Sequence, residues 1–500
     1  MANLQGVTIP APTAGLSLVD PIDDMDPRLA LELSNLTFQK NSVSMRRGYT
    51  SYASTGEGLQ IQTLVPQALS NGTTNLIGTA GTKIWRFTSG TATNITGGTA
   101  LTNAVTNCDT FGQNLYICNG VEAVQVYNGT TTATSTFTGA TLTDLINVSS
   151  YKERIYFVEK NSLKFWYGNT SAVGASALTA YNLQYFMKQG GYLLFAGSYT
   201  NQTAQTSQDL FFACSSEGEL LLYSGSSPAD TAWTLVARYM IGKPLGFQAF
   251  IRVNNDVWIL TRQGIIPLSA LFASDTEAAL DTVGRNINAI FSQYSAIIPF
   301  SHMWRGIYHA AGRKVYITIP TAGDSTFLLV YSMDNKGWSI FNLYSANDAC
   351  SLAVADEALY YGAKTGAVYL GDTGYNDRGN AITISGRLAF SFFGSRGNYK
   401  AFKDVRPLMR TQKGISLNLG FDTDFKRTAN LDTLVSTAGT YTPWGSAWGS
   451  PWSSDVSYIY DRYATKGQGH CAALRFTGSV KDAPLEIYGF EVRFDLGGQV

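Results

Sequence analysis

At 500 residues the chain is longer than one hydrophobic core usually serves, so two or more domains, or one large repeat domain, are expected. Lys plus Arg (36) equals Asp plus Glu (36), and charged residues reach only 14% where an average soluble domain has about 25%. That balance argues against tight nucleic-acid binding by phosphate neutralisation, although it does not exclude a channel wall along which DNA slides without being held. The polar surface must instead come from Ser, Thr, Asn, Gln and Gly, and the 28 Tyr, 26 Phe and 49 Gly describe strands and tight turns.

The opening, MANLQGVTIPAPTAG, has no basic segment followed by an apolar run, so no secretory signal is read there. No stretch of about 18 apolar residues marks a membrane span. Residues 1–60, rich in Pro and Asp, read as an N-terminal arm that packs on the larger C-terminal platform. Within the arm, Asp26 and Pro27 before RLALEL read as the N-cap and first-turn proline of a short helix. Asp20, Asp23, Asp24 and Asp26 cluster here rather than at a blade end, and read as turn aspartates and a cap rather than a catalytic carboxylate pair.

Between 61 and 375 one pattern recurs: an aromatic-rich strand, a polar turn, and a second such strand. It reads LIGTAGTKIWRF from Leu76, LYICNGVEAVQVYNG from Leu115, IYFVEKNSLKFWYG from Ile155, LLFAGSY from Leu193 and LFFACSSEGELLLYSG from Leu210. VWILTRQGIIPLS from Val257, VYITIP from Val315 and LYYGAKTGAVYLGD from Leu359 continue it. The turn pairs Asn119-Gly120, Glu217-Gly218, Gln263-Gly264 and Thr365-Gly366 put glycine where a hairpin asks for positive φ. The first starts, at 76, 115, 155 and 193, lie 39, 40 and 38 residues apart. A period of roughly 40 to 50 residues predicts an all-β chain with a β-propeller of six to eight blades, seven fitting the spacing; a sandwich of many hairpins is the alternative. One helix is predicted over 275–294, where Leu280, Val283, Ile287, Ile290 and Phe291 share a face, as the cap of an insertion between blades. SMDNKGWS at 332–339 invites comparison with the Asp-box turn of sialidases, but Gly337 and Trp338 stand out of its spacing, so it reads as a hairpin turn.

From 376 to 500 the strands lengthen and alternate, as in Phe490, Val492 and Phe494 against Glu491, Arg493 and Asp495. One buried face and one wet face predict a C-terminal β-sandwich or platform domain. Inside it, WGSAWGSPW holds Trp444, Trp448 and Trp452 at a helical spacing of four, which Gly445, Gly449 and Pro451 oppose. The stretch 443–453 therefore reads as an aromatic loop that either anchors a neighbouring subunit or folds back on its own sandwich.

The search for catalytic chemistry is nearly empty. Three histidines, His302, His309 and His470, have no companion carboxylates at ligand spacing. The five cysteines are scattered without a C-x-x-C pair, which argues against both a zinc site and a disulfide scaffold. There is no phosphate-binding G-x-x-x-x-G-K-[ST] loop, no dinucleotide G-x-G-x-x-G and no G-x-S-x-G elbow. The expectation is a protein without catalytic residues, cofactor or metal. Asn-x-Ser/Thr triplets at Asn71, Asn94, Asn128 and Asn201 read as turn asparagines in a Thr-rich chain.

APTAGLSLVDPIDDMDPRLALELSNLTFQKNSVSMRRGYTSY resembles the N-terminus of the tail nozzle proteins of short-tailed phages, the tail tubular protein B or packaged-DNA-stabilising type. KERIYFVEKNSLKFWYG and FLLVYSMDNKGWSIF look like their blade hairpins, WGSAWGSPW like their tryptophan loop, and ALRFTGSVKDAPLEIYGFEVRFDLGG like their final strands. The resemblance implies a virion tail protein, assembled in the bacterial host cytoplasm, six copies of which form the distal ring below a portal-bound adaptor. Its other expected partners are tail fibres or spikes and genomic DNA passing through the lumen without tight binding. The family offers no catalytic residues. Arg46, Arg47 and Tyr49 in the arm join the three tryptophans as interface candidates. Two rival readings remain: a carbohydrate-binding or receptor-binding propeller of the tail, which predicts a carboxylate pair at one blade face and polysaccharide binding, and a propeller scaffold that binds peptides.

Overall fold

The structure, a computed structural model, describes residues 4–499 except 89, 174–175, 203–206, 274–275, 412–414, 429–430, 432 and 437–456. The chain divides into two compact units, one of residues 51–328 and 346–370, the other of residues 1–50, 329–345 and 371–500. The first is the β-propeller and the second a β-sandwich.

Local hairpins build the propeller. Ile61–Ala68, Thr74–Ala80, Lys83–Thr88 and Thr91–Asn94 form one antiparallel four-stranded sheet, and the stretches 107–134, 145–182 and 193–240 each repeat it. A three-stranded sheet follows at 250–267. The last sheet, Ser351–Ala355, Ala358–Gly362 and Ala367–Gly371, takes its fourth strand from Tyr49–Ser54, so the two ends of the unit close the ring on each other. Six sheets thus stand alone as blades, and an antiparallel meander beginning with Arg305–His309 and Lys314–Thr321 fills the remaining place in the ring. First strands touch in sequence around the centre: 61–68 meets 107–111, then 145–151, then 193–202. On the other side 250–253 meets 305–309, which meets 351–355, which returns to 61–68.

The turn chemistry agrees with the sequence expectation, since Gly120, Gly218, Gly264 and Gly366 all have positive φ. At Gly218 a side chain is also barred by space, because an added Cβ would stand 2.2 Å from the Gly242 carbonyl oxygen. Aromatic rings fill the space between blades. Phe211, fully buried, lies 4.7 Å from Tyr156, 5.2 Å from Phe165 and 5.7 Å from both Tyr151 and Trp233, centroid to centroid.

The single helix expected over 275–294 is instead a broken helical insertion: Leu268–Ala273, Thr276–Val283, a 3₁₀ turn at Arg285–Ile287 and Asn288–Ile297. Gly284, a poor helix residue, stands at the break, while Ile287, Ile290 and Phe291 are buried as the periodicity predicts.

The sandwich packs two sheets over one core. Leu36–Phe38, Val43–Met45, Asn398–Thr411, Ser457–Ile459 and Leu485–Gln499 belong to one sheet, with Leu4–Pro10 on the long final strand. Gly337–Phe341, Leu29–Ser34, Ile382–Leu388, Ser416–Thr423, Thr433–Ser436 and Ala472–Val480 belong to the other. Leu33, Ile384, Leu417 and Phe476 from one sheet meet Val43, Val405, Ile487 and Phe490 from the other in a single core cluster.

Two expectations about residues 1–60 change. The stretch Leu29–Ser34 is a strand rather than a short helix: it pairs antiparallel with 385–388 and, at Ser34, parallel with Ile340. Ladder partners on both sides outweigh the helix propensity of Ala, Leu and Glu, a difference of only tenths of a kcal/mol per residue. Asp26 makes a turn instead of a helix cap, its Oδ1 accepting from the Arg28 backbone N–H at 2.8 Å. Nor is the arm a separate extension, because residues 4–45 supply strands to both sheets of the sandwich and the strand at 49–54 completes the last blade.

Candidate functional site

The structure brings Arg46 and Tyr49 together, but inward. Arg46 is 2% exposed, and its guanidinium grips the Asp377 carboxylate with Nη1 to Oδ1 at 2.9 Å and Nη2 to Oδ2 at 2.6 Å. Nε donates to Asn35 Oδ1 at 2.8 Å, and further N–H groups reach the carbonyls of Arg47 and Asn342. Tyr49 is fully buried, and its backbone N–H donates to the Asn376 carbonyl at 3.1 Å. Between them Gly48 runs so close to 376 that an added Cβ would stand 1.8 Å from the Asn376 oxygen. Arg46 and Tyr49 are therefore corrected from outward contacts to internal pins, since planar bidentate geometry and desolvation commit that guanidinium to its own sandwich. Arg47 alone of the three is exposed. Trp444, Trp448 and Trp452 lie outside the described residues.

Immediately after that tryptophan stretch comes a surface the sequence reading passed over. Ser457–Ile459 is a short edge strand whose Ile459 is buried opposite Met409, while Tyr458 and Tyr460 point outward at 54% and 57% exposure. Their rings stack, 6.1 Å between centroids and 26° between planes. The signal was present in SYIYDRY as period-two alternation, which puts both tyrosines on the face opposite the isoleucine.

The wet face of the same sheet carries an ion network. Arg493 holds Asp404 at 2.7 and 3.0 Å, Arg462 bridges Asp404 at 2.9 Å and Glu491 at 3.0 Å, and Arg406 reaches Glu491 at 3.3 Å. Burial pushes the Asp404 carboxyl up, but the hydrogen bonds from Arg493 and Arg462 outweigh it and leave it below the ordinary range. Alternation in FEVRFD showed that Glu491, Arg493 and Asp495 share this face; which residues of 398–411 and 462 face them was set by pairing alone.

The histidines and thiols are buried or held by neighbours. Among the described residues no three His, Cys, Asp or Glu come together as a metal would require. His302 is held near pKa 4 by burial and by Arg305, and so stays neutral. His309 is buried with Nε2 at 2.8 Å from the Glu357 carbonyl, and the His470 ring lies edge-on to Tyr399. All five cysteines are free thiols, and burial pushes Cys108 up to about 12 and Cys350 to about 11, far from a nucleophile's range. Asp26, of the N-terminal aspartate cluster, pairs with Arg28, and Asp20 accepts from the Ser17 hydroxyl at 2.8 Å. The hairpin at 332–339 forms, with Trp338 buried 4.8 Å from Tyr331. No helix among the described residues is long and apolar enough to cross a membrane.

Fold and surface define a β-propeller protein that carries a separate β-sandwich with an exposed aromatic edge. No family model matches the chain, and no curated protein matches it. Among solved structures it is similar to a streptogramin B lyase, 10% identical with a TM-score of 0.42 over 65% of this chain and 97% of that one. It is also similar to virginiamycin B lyase from Staphylococcus aureus, 9% identical with a TM-score of 0.42 over 63% and 96% of the two chains. The computationally designed Ika8 protein is 11% identical with a TM-score of 0.38 over 71% and 98%. At such identities these likenesses concern the fold and neither assign nor exclude an activity.

Proposed function

We propose that the protein is a structural component of a phage virion. In this reading copies of the chain form the distal nozzle ring of a short tail, line the DNA exit channel and retain packaged DNA until ejection. The observation that supports it best is the exposed Tyr458–Tyr460 stack on a short edge strand, directly following the tryptophan-rich stretch. Exposed aromatic clusters mark interaction surfaces, and aromatic anchors dominate interface energies at about 2 kcal/mol or more each. A ring needs such a heterologous contact repeated around a closed rotation, with an adaptor above it and fibres or spikes beside it. The low proportion of charged residues, 14%, fits a lumen that lets DNA pass. In this role the chain has no catalytic residues and no cofactor.

The test is deletion of the gene from the phage that carries it, followed by electron microscopy of the lysate. Heads that fill with DNA and then leak are the expected result. Filled, tailed particles that merely fail to adsorb would overturn the nozzle reading in favour of receptor or carbohydrate binding.

A further inference from the structure

First strands of the propeller line an open recess of about 180 Å³ at the centre of the ring, with Thr63, Asn107, Cys108, Gln248, Phe250 and Arg305 among its walls. Arg305 opens the strand Arg305–His309 and is only 6% exposed. Its Nε donates to the His302 carbonyl at 2.7 Å and its Nη2 to the Thr63 hydroxyl at 3.3 Å. That hydroxyl is already committed, donating to the Thr106 carbonyl at 3.0 Å. The remaining guanidinium N–H groups have no acceptor among the described residues.

Among the described residues no carboxylate answers this charge. The ionisable groups that act on Arg305 are the thiols of Cys108 and Cys350, and burial pushes these up to about 12 and about 11, so they are neutral at pH 7. Burial lowers Arg305 itself only to about 10, which leaves it a cation. The contrast with Arg46, equally buried but clamped on Asp377, is direct. A buried charge without a partner is strongly unfavourable, so an anion that reaches it gains a charge-assisted hydrogen bond and removes the penalty together.

Two further donors line the same space. Asn107 Nδ2 donates to the Ile146 carbonyl at 2.6 Å and Gln248 Nε2 to the Thr106 carbonyl at 2.6 Å. Each amide nitrogen carries a second N–H. Val65, Gln248, Phe250 and Gly306 in the wall are half-buried, which gives solvent a way in. The volume is below the roughly 300–1,000 Å³ of pockets for drug-sized ligands, so it suits a small ion rather than a nucleotide or an oligosaccharide.

We propose that the centre of the propeller is a binding site for a small oxyanion of the phosphate or sulfate type, held by Arg305 with Asn107 and Gln248 beside it. The site stands independently of the virion reading.

The test is thermal unfolding of the full chain in sodium phosphate, sodium sulfate and sodium chloride at matched ionic strength, with isothermal titration of phosphate as the direct measurement. Phosphate or sulfate is expected to raise the melting temperature by a few degrees and to saturate, while chloride does not. In Arg305→Gln the anion-specific rise is lost, whereas the anion-free melting temperature stays level or increases because a lone buried cation is gone. No anion-specific rise in the unaltered chain, or the same rise in Arg305→Gln, overturns the site. Should Arg305→Gln fail to fold, Arg305→Lys is read in its place: it keeps the charge but loses the planar fork, so a weakened rise supports the site and an unchanged one overturns it.

Discussion

The propeller and the sandwich solve the same packing problem with different materials. Between blades the propeller buries rings, Phe211 among Tyr151, Tyr156, Phe165 and Trp233, while its ion pairs, such as Lys243–Glu217 and Lys160–Asp144, sit near the surface. The sandwich buries ions. Arg46–Asp377 is sealed in it, and fully buried Asp422 faces Arg387 at 2.7 Å and Arg475 at 3.3 Å. The reason lies in how each is connected. Blade strands are neighbours in sequence, so turns set their register at little entropic cost. The sandwich pairs 4–10 with 489–495 and 30–34 with 385–388, where no turn fixes the register and a one-residue slip would turn every side chain to the wrong face. Polar groups that fit one arrangement only are a means of selecting it, and a buried pair that fits one register can act as its pin.

Arg46→Met tests this contrast most severely. It strands the Asp377 carboxylate and leaves the Asn35 and Asn342 acceptors short, so a loss of about 4–5 kcal/mol is expected in urea unfolding of the sandwich. Adding Asp377→Leu should recover most of it; a double variant no better than the single would show that the pair is not a pin. For the propeller the matching change is Phe211→Ala, expected to cost about 3–4 kcal/mol through the cavity left among four rings. It should move one unfolding transition and leave the other in place. Equal movement of both would mean that the two units unfold together.

Smaller effects sharpen the picture. Gly218→Ala forces a side chain into positive φ and against the Gly242 carbonyl, and about 1–3 kcal/mol of propeller stability should go with it. Proteolysis rates at the 216–218 turn would report the change locally. The smallest expected effect is on pH dependence. The folded Asp404 carboxyl sits below its ordinary value, so its contribution is full above about pH 4 and is lost as the pH falls through the lowered folded value. Asp404→Asn should flatten the acid limb of the sandwich's stability curve and leave that of the propeller unchanged; an unaltered acid limb would assign acid sensitivity to other carboxylates.

Much of the propeller was legible in the chain. Its period, its hairpin turns and the positive φ of Gly120, Gly218, Gly264 and Gly366 follow from chemistry within a few residues, which the folded state can only accept. Alternation in FEVRFD likewise told which side chains of the last strand face water, and the same pattern in SYIYDRY marks Tyr458 and Tyr460 as outward. Tertiary structure alone decided the rest. RLALEL has the composition of a helix and becomes a strand because ladder partners lie more than 300 residues away. Arg46, an interface candidate by sequence, is taken by Asp377 in the fold, and Arg305 comes to lack a counter-charge among the described residues only when neighbouring strands gather around it. Turn geometry and alternation are local properties that a sequence carries with it. Burial, charge pairing and strand partnership depend on which distant segments arrive, and that is settled only when the whole fold competes for its lowest free energy.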